Sequence, residues 1–395
     1  ARILKVKVLL GLFENPYVDP KRESRDMMTD KNLDLALEVS RKSIVLLKND
    51  NNLLPLNKKL DRLAIIGPLA KSQQDPLGWW HCQGQADEVI SVFDGIKKEI
   101  DKDARIIYSR GCSVDGDTTD FNAAVRAAEN ADAAILVVGE SYDMSGEGAS
   151  RSEIGLPGRQ LELVQKIHET GTPVVVVLMN GRPLALPWIA EHIPAILEIW
   201  QPGTQCGPAL ADILFGDVNP AGKLPVSFPR RVGQEPLFYN HKNTGRPPSE
   251  NRFTAKYFDV EVTQQFPFGY GLSYTRFEYS NLQLDKTEIQ PFGTVVVSAD
   301  VKNTGSRSGE EIVQLYVRDL VGSVTRPVKE LKGFRKISLK TGETKTVHFE
   351  LGASELGYYN QYGKYIIEAG GFNVWIGPNS AEGLTGSFEI IEKLN

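Results

Sequence analysis

Short, β-branched runs without polar alternation constrain this chain more than any other feature. They are Leu63–Gly67, Arg105–Tyr108, Ala133–Gly139, Val174–Met179 and Ala195–Trp200. A strand of that kind has no wet face, so both of its faces must be covered. Helical patterns at Phe121–Asn130, Gly158–Thr170 and Pro208–Phe215 lie between several of them. Strand, helix, strand at this spacing predicts crossover connections and a mostly parallel sheet between helices. A further helical spacing (Leu33, Ala36, Leu37, Ser40, Ile44) runs from Lys31 into an apolar stretch ending at Leu47. An α/β sandwich is expected over residues 35–230.

The texture then changes. From 231 to 276 Pro, Asn, Gly and aromatics dominate, ending in Phe266-Pro-Phe-Gly-Tyr-Gly-Leu-Ser-Tyr274. Such aromatics suit an ordered connector, not a solvated tether. Beyond 277 the period becomes two: Val295, Val297, Ala299 and Val301 alternate with polar residues. Further runs at Ile312–Val317, Thr346–Leu351, Tyr365–Glu368 and Phe372–Ile376 are separated by turn signals, predicting an antiparallel β-sandwich over 277–395. That stretch shows no acid/base pair and no evident cluster of exposed aromatics, so a structural role is expected of it.

A length of 395 residues leaves room for two or three domains. The formal net charge of −5 supplies no basic surplus for a phosphate backbone, so no nucleic-acid partner is expected. No apolar run approaches the length of a bilayer span. The three cysteines, Cys82, Cys112 and Cys206, form no CxxC motif, and the five histidines show no ligand spacing. No metal or cofactor is expected. Gly216–Leu224 resembles a phosphate loop, but its glycine spacing is wrong and Leu224 stands where a Ser/Thr is needed. Gly146-Glu-Gly148 lacks the third glycine of a dinucleotide fingerprint.

One segment can carry chemistry. Gly139-Glu-Ser-Tyr-Asp-Met-Ser-Gly-Glu-Gly-Ala-Ser-Arg151 leaves the carboxyl end of a predicted parallel strand, where open α/β sheets place their ligands. Its carboxylates are Glu140, Asp143 and Glu147, with Glu153 just beyond. Small residues around Glu147 let the backbone bring that carboxylate close to a ligand. A run like this serves more commonly as a solvated surface loop. Leu77-Gly-Trp-Trp-His81 follows another strand; Trp79 and Trp80 could offer a sugar an apolar face or pack in an interface.

Several longer motifs occur in one order. They include Ser145–Ser152, Leu178-Met-Asn-Gly-Arg-Pro-Leu184, Ala211–Pro225, Phe266–Tyr274, Arg326–Phe334 and Gly371–Gly377. Together they resemble the C-terminal half of glycoside hydrolase family 3 enzymes, close to the bacterial β-glucosidases. That resemblance implies an α/β sandwich followed by a fibronectin type III-like domain. It also implies retaining hydrolysis of β-linked glucosides or oligosaccharides, in the periplasm or outside the cell. Ser145-Gly-Glu147-Gly matches the loop carrying the family's general acid/base, with Glu140 the nearest rival. Trp80 resembles the aromatic on the aglycone side, with Trp79 beside it. Arg151 would then orient Glu147, or pair with Glu153.

The same resemblance implies a preceding (β/α)8 barrel, and Leu10–Tyr17 resembles the exit from its last helix. Residues 1–34 are therefore read as barrel tail and linker. The family's nucleophilic aspartate sits in a Ser-Asp-Trp motif, and that tripeptide is absent here, as is the Lys-His sugar-binding pair. The start at Ala1 fits a nick or a split chain, so a barrel polypeptide carrying the nucleophilic Asp is expected as partner, and this chain alone should be inactive. A homodimer is compatible with the resemblance. A non-catalytic sugar-binding scaffold and a β-xylosidase specificity are the alternatives.

Overall fold

The computed structural model describes residues 1–116 and 120–392. Near its start, α1 (Arg2–Leu9) buries no residue, and α2 (Arg22–Asp26) is a single short turn. The third helix, α3 (Asp30–Ser43), is capped by Thr29, whose side chain accepts from the Asn32 amide. At Ile44 the backbone becomes extended, and β1 (Val45–Asn49) begins at once. Residues up to Leu47 therefore do not continue the helical spacing. Val45–Leu47 are wholly buried, which an edge strand against the sheet achieves.

Five parallel strands follow: β2 (Arg62–Ile66), β3 (Arg105–Ser109), β4 (Ala133–Gly139), β5 (Val174–Met179) and β6 (Ala195–Glu198). The sheet order is β1-β6-β5-β4-β2-β3, with β1 antiparallel to β6. Alternate residues of β4 enter two separate cores. Ile135 and Val137 pack with α4 (Val92–Glu99) and α8 (Cys206–Leu214), through residues such as Ile96 and Leu210. Ala134, Leu136 and Val138 pack with α5 (Phe121–Glu129), α6 (Gln160–His168) and α7 (Pro187–His192), through Ala124, Leu163 and Ile189. Two apolar faces on one sheet explain the missing alternation and give the expected α/β sandwich. Cys206 is fully buried on α8, and that burial pushes its thiol up to about 12.

The connector is ordered on both sides. Phe228 bridges Phe266, Leu46 bridges Leu272, and the Tyr274 hydroxyl donates to the Ile213 carbonyl over 2.8 Å. Past it lies a β-sandwich. One sheet has the order β11-β10-β15-β16-β8 and the other β12-β9-β7. Here β7 is Phe277–Leu284, β8 Glu288–Ile289, β9 Val295–Asn303, β10 Gly309–Asp319, β11 Glu330–Leu339 and β12 Thr344–Leu351. Beyond them, β13 (Tyr358–Tyr359) and β14 (Tyr365–Ile366) form a small hairpin, and β15 (Gly370–Gly377) and β16 (Leu384–Ile390) complete the larger sheet. Ladders are antiparallel except β16 with β8. Val295, Val297, Ala299 and Val301 face Val313, Leu315 and Val374 in one core.

The two halves are joined by buried polar contacts. Lys223 pairs with Glu311 at 3.2 Å, and the Tyr279 hydroxyl donates to the same carboxylate. Gln314 Nε2 donates to the Gly269 carbonyl of the connector. The sandwich does expose an aromatic group that the sequence did not announce. Tyr359, Tyr362 and Tyr365 are all exposed on the β13–β14 hairpin, with the first and last rings 5.1 Å apart. Their polar neighbours gave no sign that the hairpin would bring Tyr359 and Tyr365 together. No described helix is long and apolar enough to cross a membrane.

Candidate active-site loop

The candidate loop hangs from the carboxyl ends of β4 and β5. Gln160 grips the end of β4 at both polar groups: Gly139 N donates to its Oε1, and its Nε2 donates to the Gly139 carbonyl, each at 2.8 Å. Any Cβ on Gly139 would lie 2.0 Å from the Met179 carbonyl oxygen, so the strands meet there only through glycine. Next in the chain, the Glu140 amide donates to that same Met179 carbonyl.

Glu140 has no exposed side-chain surface. Arg151 Nη1 donates to its Oε1, and Arg182 Nε lies 3.0 Å from Oε1 and donates to Oε2 at 3.2 Å. Arg182 Nη2 also donates to the carbonyls of Met144 and Ala149, and Arg151 Nη2 donates to that of Gly155 at 3.1 Å. A carboxylate closed in by two guanidiniums cannot reach a substrate. Beneath it, Asn180 Nδ2 donates to the buried Glu198, whose carboxyl is pushed well above the usual carboxylate range by burial.

The outer half of the loop leans on the loop after β2. The Tyr142 amide donates to Asp75 Oδ1 at 2.8 Å, and the Tyr142 ring stacks on Trp79, centroids 6.0 Å apart and 24° off parallel. Gly146, at φ +121°, lies against the Trp79 indole. Glu147 follows it and is exposed. The partial burial expected of a proton shuttle is therefore not supplied by these residues. Trp80 is 67% exposed and Trp79 43%, because Trp79 is half covered by the loop it supports.

The structure thus brings Glu147, Trp79 and Trp80 to neighbouring loops. Arg151 is placed differently from either expectation: it pairs with Glu140 rather than with Glu147 or Glu153, since the buried carboxylate is the nearer and drier partner. Sequence reasoning missed Asp75, Tyr142 and Arg182 as supports. Arg182 lay in a quoted motif, Leu178–Leu184, yet nothing local tied it to Glu140. Among the described residues, no group of three or more His, Cys, Asp or Glu is arranged to hold a metal ion.

Comparison with known proteins places the chain in a family. Residues 44–274 match the Glycosyl hydrolase family 3 C-terminal domain, and residues 311–380 match the Fibronectin type III-like domain. A periplasmic β-glucosidase of Salmonella typhimurium is 45% identical across 98% of this chain and 54% of its own length. A β-xylosidase of Formosa agariphila is 46% identical across 96% of this chain and 53% of its own length. The crystal structure of a Listeria innocua β-glucosidase in complex with isofagomine superposes with a TM-score of 0.92 at 37% identity, covering 98% of this chain and 54% of that one. The chain therefore spans about half the length of the relatives it matches. On the family match, the parallel sheet and the sandwich that follows it, the chain belongs to glycoside hydrolase family 3.

Proposed function

We propose that this chain supplies the general acid/base of a retaining β-glucosidase, with Glu147 as the proton shuttle. The observation that carries the reading is the contrast within one loop: Glu140 is sealed between two arginines, while Glu147 stands exposed on the same braced segment. Retention needs two carboxyl groups about 5–5.5 Å apart. One attacks the anomeric carbon and forms a glycosyl ester as the glycosidic oxygen leaves with the proton of Glu147. The Glu147 carboxylate then takes a proton from water, whose oxygen displaces the ester and restores the anomeric configuration. The second carboxylate is assigned to an aspartate on a (β/α)8 barrel outside these residues.

A covering domain also accounts for the surface. Ile3, Leu4, Val6, Val8 and Leu9 of α1 are all exposed, and so are Phe13 after it and Leu35 and Val39 on α3. Apolar area on that scale ordinarily marks an interface. The barrel would cover these residues, bury Glu147 partly, and wall the sugar pocket. Trp80 would stack on the aglycone, Trp79 would back the loop, and Arg151 would act through Glu140 instead of touching sugar. A periplasmic location is supported by the Salmonella relative, a periplasmic β-glucosidase.

The test is a leaving-group series on the complete protein. Glu147→Ala should slow disaccharides by ~10²–10⁴-fold while sparing activated aryl glucosides, because a good leaving group needs little protonation. Azide should rescue the variant and give a β-glucosyl azide. Equal loss on every substrate without rescue would reject Glu147. A β-xyloside specificity is the second reading, favoured by the Formosa β-xylosidase at 46% identity. Comparing kcat/KM for aryl β-glucoside and β-xyloside separates the two.

A further inference from the structure

We infer that Glu140, Arg151 and Arg182 form a clamp that positions the Glu147 loop, which makes them positioning residues for the proton transfer. The inference rests on the reading of Glu147 given above. Its geometry is independent of that reading.

The arrangement of carbonyls is the first argument. Arg182 Nη2 holds the carbonyls of Met144 and Ala149, one on either side of Glu147. Arg151 Nη2 holds the carbonyl of Gly155, where the loop turns back into the domain. Both guanidiniums are in turn anchored on one carboxylate, Glu140. A loop that carries a catalytic group and is held at three carbonyls through one buried anion cannot drift as a whole. The anchor is itself fixed to the sheet, since the Glu140 amide donates to the Met179 carbonyl and Gln160 holds Gly139 from both sides. An unbroken line of hydrogen bonds therefore runs from the core strand β4 to the residues flanking Glu147.

The second argument is chemical. Only a guanidinium has the fork to serve a carboxylate and two carbonyls at once; a lysine is a point charge with three donors in a compact head. Charge-assisted bonds in a dry site are the strong class of hydrogen bond. Removing Glu140 would leave two guanidiniums without an anion, and removing either arginine would release carbonyls of the loop. Proton transfer is sensitive to such release, since a misplacement of about 1 Å can cost on the order of 10²-fold.

The test uses the complete protein with Arg182→Lys, Arg182→Ala and Glu140→Gln. Amide hydrogen exchange over residues 141–150 should quicken in each variant while exchange in β4 and β5 stays as in the parent. Turnover of a disaccharide should fall ~10- to 10²-fold at similar KM, with activated aryl glucosides spared. Azide should accelerate these variants less than Glu147→Ala, because the carboxylate still fills its place. Unchanged exchange in the loop, exchange quickened across the whole domain, or equal loss on every leaving group would overturn the clamp. Should Arg182→Ala fail to fold, Arg182→Lys and Glu140→Gln carry the same readouts. If Glu147→Ala itself shows no leaving-group dependence, the functional reading falls, and the exchange pattern alone decides the clamp.

Discussion

Gly146 lies so close to Trp79 that a Cβ on it would sit 2.8 Å from the indole Cδ1. The indole in turn stacks on Tyr142, whose amide is tied to Asp75. Trp79 thus acts as a backstop for the loop carrying Glu147, and the smallest residue is required where they touch.

Gly146→Ala should accordingly disturb the site without unfolding the domain. Its φ of +121° is unfavourable for a side chain and costs about 1–3 kcal/mol locally, and the added methyl must push Trp79 aside. Disaccharide kcat/KM should fall by about tenfold or more, while the melting temperature moves little. Paired kinetics and calorimetry check this; unchanged turnover would show that the contact does not position the loop.

Trp80→Ala separates the two tryptophans. Trp80 is the more exposed of the pair, and no ring contact among the described residues holds it. Its loss should weaken disaccharides more than small aryl glucosides, by roughly 1–3 kcal/mol as for other aromatic anchors. An unchanged substrate preference with a lowered melting temperature would make it a packing residue.

Glu198 makes a pH prediction. Burial raises its folded pKa above the ordinary value of 4.5, so the folded state favours the neutral acid. Stability from this group is therefore full below about pH 4.5 and is lost as pH rises through the raised value. Glu198→Gln removes that dependence. Glu198 accepts at both oxygens, from Asn180 Nδ2 and from the Trp200 amide, so the Gln side chain keeps only one of these bonds and starts weaker than the parent at low pH. Urea midpoints between pH 5 and 9 should show the variant gaining on the parent as pH rises. Parallel curves would place the ionisation elsewhere.

The parallel sheet was legible because β4 and β5 are covered on both faces, which leaves an unbroken apolar run. The edge strand β1 was not, because its apolar residues follow α3 without a break in the sequence, with a single extended residue, Ile44, between helix and strand. Strand β7 was hidden for the opposite reason: no residue of Phe277–Leu284 is fully buried, and Glu278, Asn281 and Gln283 are exposed, so the run reads as polar. At the site, the glycines and the place after β4 pointed to the loop, but among its four carboxylates the choice of Glu147 came from the family resemblance. The fate of Glu140 was not readable, since a Gly-Glu pair looks the same buried or exposed. Its partner Arg182 lies 42 residues away, and Asp75 lies 67 from Tyr142, separations that leave no periodic trace in the chain.

The central claim is that this chain holds one half of a two-carboxylate site. It is tested most directly by purifying the chain under denaturing conditions, refolding it, and assaying an aryl β-glucoside with and without a barrel polypeptide carrying a Ser-Asp-Trp aspartate. The account predicts no turnover from the refolded chain alone, and turnover with retained configuration once the barrel is added. Full activity from the chain alone would contradict it.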